Sequence, residues 1–116
     1  MKVLTFAHKG EAQHFLAKGD FAPSRHKRVL NSPLLSGRYF ENSHYGILIT
    51  GEGLDVSQRR LTHLITLLMC EDVAIEAIVN LGVAGSLNEQ AEENRVYAVR
   101  TAYAHNGRSP LFHSLT

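Results

Sequence analysis

The chain has few of the features that would assign it at once to a specialised class of protein. Its 116 residues include one cysteine, Cys70, which excludes an internal disulfide and predicts a reducing, cytoplasmic compartment. The formal net charge of +1 gives no sign of a nucleic-acid or anionic-membrane partner. No apolar run is long enough to cross a bilayer, and the start of the chain lacks a signal-peptide pattern. Because Cys70 follows an apolar run, we expect a buried, unreactive thiol.

Common catalytic and metal-binding motifs are also missing. A GK[ST] sequence does not occur, which excludes a P-loop, and Val56 stands where the dinucleotide fingerprint needs glycine or alanine. No GxSxG nucleophile elbow is found. The histidines lack HxxxH or HxH spacing, so we expect neither a metal nor an organic cofactor.

What the sequence contains is an ordinary globular composition, with 44% hydrophobic and 20% charged residues, and alternating strand-like and helix-like segments. The patterns predict strands over residues 3–7, 37–41, 45–50, 74–81 and 96–104, and helices over 11–18 and from an Asp55 N-cap to residue 70. Residues 20–35 are predicted to be irregular, residues 88–94 to be a surface loop, and residues 105–116 to hold no element. This order predicts a single α/β domain over residues 1–116 with a mixed sheet of undetermined strand order.

Two strand ends carry glycine-spaced turns. The apolar run at residues 78–81, predicted to be a strand buried on both faces, leads into Gly82 and Gly85. A second turn, with Gly51 and Gly53, separates a strand from the long helix. Ligands of open α/β sheets bind at such strand ends, and a helix N-terminus attracts anions. The alternative is a pair of turns without a ligand, and Glu52 would repel an anion if it pointed inward.

Glu11 follows the exit of the first strand and could therefore lie at the same edge of the sheet. A carboxyl group there could act as a general acid or base, or hold a water molecule. The alternative is a carboxylate in the first turn of a helix, where it interacts favourably with the helix dipole. From the residues alone, the second role is the simpler one.

Taken in order, three segments resemble the amino-terminal half of the purine nucleoside phosphorylase and nucleosidase superfamily, which includes the methylthioadenosine/S-adenosylhomocysteine nucleosidases. They are Met1–Leu4 with Glu11 shortly after, Ile49–Gly53, and Val79–Leu87. The resemblance implies a partial nucleoside phosphorylase-like α/β fold and cleavage of a nucleoside N-glycosidic bond, with phosphate as a possible co-substrate or with water.

The resemblance also implies roles for individual residues. Glu11 is the candidate for holding a nucleophilic water. The ribose and nucleophile pocket would be lined by Gly51, Gly53, Val83, Ala84 and Gly85.

Three departures from the family pattern leave a second hypothesis open. Val83 stands where the family has a hydroxyl residue, and Ala12 lies opposite its water-binding glutamate, with Glu11 one position early. The family segments that bind the base and protonate it have no counterpart in the chain. Activity would then need a second half or partner; the alternatives are an inactive nucleoside-binding or assembly subunit and a chance match of a small α/β domain. Uncovered apolar surface predicts a homo-oligomer.

Overall fold

The computed structural model describes residues 1–82, 95–99, 101–105 and 110–114. The chain divides into two compact units, Met1–Val83 and Ala84–Thr116, while a single domain over residues 1–116 stays a prediction. In the first unit the elements are β1 (Lys2–Phe6), α1 (Lys9–Lys18), α2 (Lys27–Leu30), β2 (Tyr39–Glu41), β3 (Tyr45–Ile49), α3 (Leu54–Cys70) and β4 (Ala77–Asn80). In the second they are β5 (Thr101–His105) and β6 (Pro110–Ser114).

The four strands of the first unit form a mixed sheet in the order β2-β3-β1-β4. The central strand pair, β1 and β3, is parallel, β4 runs parallel to β1, and β2 is antiparallel to β3. This arrangement confirms the predicted α/β class, its mixed sheet and the β2–β3 hairpin. Because β1, β3 and β4 are parallel, their carboxyl ends lie at one edge of the sheet.

The sheet separates two apolar clusters, and β3 supplies both of them. Alternate residues of a strand point to opposite faces. Accordingly, Ile47 and Ile49 pack with Phe6 and with Ala12 of α1 on one face. Leu48 lies on the other face, in a cluster to which β1, β2, α2, α3 and the loop before β2 contribute: Val3, Val29, Leu35, Tyr39, Leu64 and Leu68.

The long helix α3 follows the predicted apolar stripe but begins earlier than expected. Leu64 and Leu68 are fully buried, one turn apart on the same face. The N-cap is Gly53 rather than Asp55, so the predicted cap is wrong. The carboxylate of Asp55 instead pairs with Arg59 at 3.2 Å, the i,i+4 spacing of an exposed helical ion pair.

Two burial predictions in this unit are wrong. Ile78 and Val79 of β4 are 43% and 41% exposed, not buried on both faces, because β4 is the outer strand and contributes no residue to the buried clusters. Cys70 is exposed as well. At about 100° per residue it lies roughly 200° around α3 from the buried Leu68, and therefore faces away from the core.

The segment over residues 20–35, predicted to be irregular, contains the short helix α2 and is fastened to β2. The backbone of Ala22 pairs with that of Glu41 through two hydrogen bonds of 2.8 and 3.0 Å. Ser24 donates a 2.6 Å hydrogen bond to the Glu41 carboxylate, which is itself buried.

The second unit holds a hairpin in which β5 and β6 pair antiparallel. The strand predicted over residues 96–104 forms only in its second part, as β5 at Thr101–His105, and residues 95–99 are irregular. β6 corrects the prediction that residues 105–116 hold no element, since β5 supplies it with a pairing partner. The loop predicted at residues 88–94 lies outside the described residues. Among the described helices, none combines the length and apolar character needed to span a bilayer.

Candidate functional site at the carboxyl edge of the sheet

The exits of the three parallel strands are held side by side by backbone hydrogen bonds. The N–H of Gly51, just past β3, donates to the carbonyl oxygen of Ala7 at 3.1 Å. On the other side of β1, the N–H of Leu81 donates to the carbonyl oxygen of Thr5 at 2.9 Å. The turn after β1 therefore lies between the Gly51 turn and the start of the loop after β4.

The carboxylate of Glu11 has two different surroundings. Its Oε1 atom accepts a 3.1 Å hydrogen bond from the backbone N–H of His8, the residue that caps α1. Glu11 thus lies in the first turn of α1, as the residues alone favoured, and the structure adds a capping hydrogen bond to this position. Its Oε2 atom lies 3.7 Å from the position that a Cβ atom on Gly82 would occupy. One oxygen thus holds the orientation of the side chain while the other lies beside the start of the glycine-containing loop.

The turn after β3 depends on glycine at two positions. Gly51 has a φ of 80° and Gly53 a φ of 91°, in the left-handed region that side chains with a Cβ disfavour. A Cβ on Gly53 would meet nothing within 4 Å, so this position is open. A Cβ on Gly51 would lie 2.5 Å from Nη1 of Arg60, which occupies the space next to the turn.

Arg60 reaches this turn from the second turn of α3. Helical side chains tilt toward the N-terminus of their helix. Its Nη1 donates a 2.7 Å hydrogen bond to the carbonyl oxygen of Thr50, while its Nε is buried without a partner among the described residues. Burial lowers the pKa of the Arg60 guanidinium, and the positive charge of Arg38 lowers it further. The charge of Arg38 therefore acts on the guanidinium of Arg60 at this edge of the sheet.

Glu52, between the two glycines, is paired with a histidine. Its Oε1 atom lies 2.7 Å from Nε2 of His8, and the two side chains are 77% and 56% exposed. The pair joins the turn after β3 to the turn after β1. The negative charge of Glu52, which would repel an anion if it pointed inward, is thus directed to the imidazole of His8.

The comparison with protein families gives a match over almost the whole chain. The model of the phosphorylase superfamily covers residues 3–115. The chain belongs to the phosphorylase superfamily. Comparison with curated proteins and with solved structures gave no match.

Membership of the phosphorylase superfamily confirms the resemblance and the partial nucleoside phosphorylase-like fold expected from the sequence. The family supports nucleoside phosphorylase or nucleosidase activity in general. Glu11, Gly51 and Gly53 lie at the carboxyl edge of the sheet. The roles of Glu11 in holding water and of the two glycines in lining a nucleoside pocket stay predictions. Residues Val83, Ala84 and Gly85 lie outside the described residues.

Three residues of this edge did not stand out in the sequence: His8, Arg38 and Arg60. Arg60 follows the N-cap Gly53 by seven residues, which is two helical turns, so it lies above the N-terminus on the same side of α3. That spacing could have identified it. His8 meets Glu52 only because the pairing of β1 with β3 brings the ends of these strands together, and Arg38 precedes β2, which pairs with β3. No group of three or more histidine, cysteine or acidic side chains that could hold a metal occurs in the described part of the chain.

Proposed function

We propose that the chain binds a nucleoside at the carboxyl edge of the sheet and takes part in cleaving its N-glycosidic bond. The observation that carries this proposal is the position of Glu11, whose Oε2 lies beside Gly82 while its Oε1 is held by the N–H of His8. Membership of the phosphorylase superfamily supports the reaction class.

In this proposal, Oε2 of Glu11 accepts a hydrogen bond from the attacking water and then its proton. The oxygen of the water forms the new bond to C1′ of the sugar, and the base leaves with the electrons of the N-glycosidic bond and needs a proton as it leaves. A carboxylate near C1′ also stabilises the positive charge that develops on the sugar. We propose that a group outside residues 1–82, on this chain or on a partner, protonates the base.

A second candidate, a nucleoside-binding or assembly subunit without catalysis, is favoured by one observation. Ala12, which the resemblance sets opposite the water-binding glutamate of the family, is completely buried against Phe6 and Ile47. A carboxylate at that position would have to be accommodated in an apolar cluster. The chain therefore depends on Glu11 alone for a carboxylate in this part of α1.

Release of free base from a panel of purine and pyrimidine nucleosides, including methylthioadenosine, with and without phosphate, tests the first candidate. We expect release by the wild-type chain and a loss of about 100-fold or more in Glu11→Gln, because a general base contributes roughly 10²–10⁴-fold. Glu52→Gln is the matched control, since it changes an exposed carboxylate of the same edge. Equal rates for the two variants would remove Glu11 from the mechanism.

Binding without base release separates the second candidate from the first. If a folded sample binds nucleosides by calorimetry but releases no base at any protein concentration, the binding-subunit role is favoured. Sedimentation over the same concentration range tests the homo-oligomer that we also propose, and would reveal activity that appears only on association. A cytoplasmic location stays part of the proposal.

A further inference from the structure

The side chain of Arg60 connects α3 to the end of β3. Its Nη1 atom donates a 2.7 Å hydrogen bond to the carbonyl oxygen of Thr50, a residue that is itself buried. No other hydrogen bond to this oxygen is found within residues 1–82. Because a buried carbonyl group without a donor is unfavourable, Arg60 satisfies an acceptor that the pairing of β1 and β3 leaves without a partner.

The same guanidinium group packs against Gly51, the next residue. A Cβ atom on Gly51 would lie 2.5 Å from Nη1 and 3.8 Å from Cζ of Arg60. On the side of β1, the N–H of Gly51 donates a 3.1 Å hydrogen bond to the carbonyl oxygen of Ala7. The turn after β3 is thus attached to β1 through its own backbone and to α3 through Arg60.

The surroundings of Arg60 do not favour a positive charge. Its Nε atom is buried without a partner among the described residues, and none of the three ion pairs found there includes Arg60. Burial and the charge of Arg38 lower its pKa, which means that the charged form is disfavoured. A methionine would fill similar space without burying a polar atom. The benefit of arginine at this position therefore lies in its contact with the turn rather than in the packing of α3.

The turn that Arg60 contacts continues into the start of α3 at the proposed glycosidic site. The N–H of Gly53, the N-cap of α3, donates no hydrogen bond within residues 1–82. An added Cβ on Gly53 would meet nothing within 4 Å, so this N–H group belongs to an open part of the turn. A donor of this kind contributes most to affinity when its direction is fixed before the ligand binds.

We infer that Arg60 is a positioning residue for the proposed glycosidic site. Through the carbonyl group of Thr50 it fixes the turn after β3, and the turn in turn sets the direction of the Gly53 N–H. The ligand in this inference rests on the proposed function, whereas the attachment of the turn to Arg60 is measurable without a ligand. Arginine suits the role because its long side chain reaches back from the second turn of α3 and carries several donors in one plane.

Amide hydrogen exchange of the full chain, followed by nuclear magnetic resonance, tests the attachment. The N–H of Gly51 should exchange at least about tenfold faster in Arg60→Met than in the wild type, because the turn opens more often when Thr50 loses its donor. Arg60→Lys, which keeps a donor on a long side chain, should exchange more slowly than Arg60→Met. Arg59→Met is the matched control, since Arg59 is the neighbouring arginine and pairs with Asp55 on the surface. Equal exchange of Gly51 in Arg60→Met and Arg59→Met would overturn the inference.

Nucleoside binding separates positioning from a purely structural role. Calorimetry with methylthioadenosine, adenosine and uridine should show an affinity at least about tenfold weaker in Arg60→Met than in Arg59→Met, and partly restored in Arg60→Lys. Where base is released, KM should rise while kcat stays within about threefold, because a contact made equally in the ground and transition states changes KM alone. Faster exchange of Gly51 with unchanged nucleoside affinity would overturn the positioning role.

The outcomes distinguish this inference from the proposed function. Nucleoside binding that is equally tight in every variant overturns the role of Arg60 and leaves the proposed function intact. Weaker binding in Arg60→Met together with equal base release by the wild type and Glu11→Gln supports Arg60 and removes Glu11. A wild type that binds no nucleoside overturns both. If circular dichroism shows that Arg60→Met does not fold, Arg60→Gln, which is polar but shorter than arginine, replaces it in each comparison.

Discussion

The hydroxyl of Tyr39 donates a 3.1 Å hydrogen bond to Oε2 of Glu41, two residues along the same strand, and both side chains are buried. The other carboxylate oxygen, Oε1, accepts hydrogen bonds from the hydroxyl of Ser24 at 2.6 Å and the backbone N–H of Arg25 at 2.7 Å. The buried Glu41 carboxylate, which forms no ion pair among the described residues, is thus held by three donors. It fastens the segment before α2 to β2.

Glu41→Ala should therefore lower the free energy of unfolding by about 1–3 kcal/mol, since three donors, two of them in buried hydrogen bonds, lose their acceptor. Urea unfolding monitored by circular dichroism measures the change. Glu52→Ala, which removes an exposed carboxylate, should stay within about 0.5 kcal/mol of the wild type. If both variants unfold alike, the three hydrogen bonds do not stabilise the native state.

The chain should lose stability at alkaline pH because the phenol of Tyr39 is buried. Burial raises the pKa of the Tyr39 phenol, and the charge of Glu41 and its hydrogen bond raise it further. The folded state keeps a proton that the unfolded state loses above about pH 10. The stabilisation linked to this proton is therefore complete below about pH 10. Above that pH, the free energy of unfolding should fall by up to about 1.4 kcal/mol per pH unit.

Urea unfolding between pH 8 and 11 tests this dependence. Tyr39→Phe should reduce the slope above about pH 10, whereas Tyr45→Phe should leave it unchanged, because Tyr45 is 39% exposed. If the free energy of unfolding of Tyr39→Phe fell with pH as steeply as that of the wild type, the prediction would be contradicted.

Alanine in the turn after β3 should destabilise the fold. Gly51→Ala and Gly53→Ala each force a residue with a Cβ into the left-handed region, at a cost of about 1–2 kcal/mol. Gly10→Ala is the comparison, because Gly10 lies inside α1, where an added Cβ meets nothing within 4 Å. That substitution should stabilise by about 0.4–1 kcal/mol. Thermal unfolding of the three variants and the wild type measures these changes. A Gly53→Ala variant more stable than the wild type would contradict the turn geometry.

The exposed thiol of Cys70 should react in the native protein. Ellman's reagent without denaturant should modify it, and Cys70→Ser should give no signal. Reaction only after addition of urea would support the buried thiol that the sequence predicted and contradict its position on α3.

Local sequence patterns predicted most of the helices and strands of the first unit. The spacing of Leu64 and Leu68 predicted the buried face of α3, and the turn residues between β2 and β3 predicted their hairpin. The apolar run at residues 78–81 could not say whether β4 is central or outer, because burial of a strand depends on which elements cover it. The predicted N-cap of α3 was also wrong. The helix begins after Gly53, and the carboxylate of Asp55 pairs with Arg59 instead of capping the helix.

For the candidate site as well, the sequence predicted individual residues, and the tertiary structure determined which of them lie together. Sequence alone determined the superfamily, the need for glycine at positions 51 and 53, and a carboxylate at Glu11 shortly after the first strand. Only the tertiary structure decided that Glu11 lies beside Gly82 and that Glu52 pairs with His8. Residues far apart in the chain meet there because parallel pairing of β1 with β3 and β4 brings their carboxyl ends to one edge. No periodicity within a single segment encodes that register.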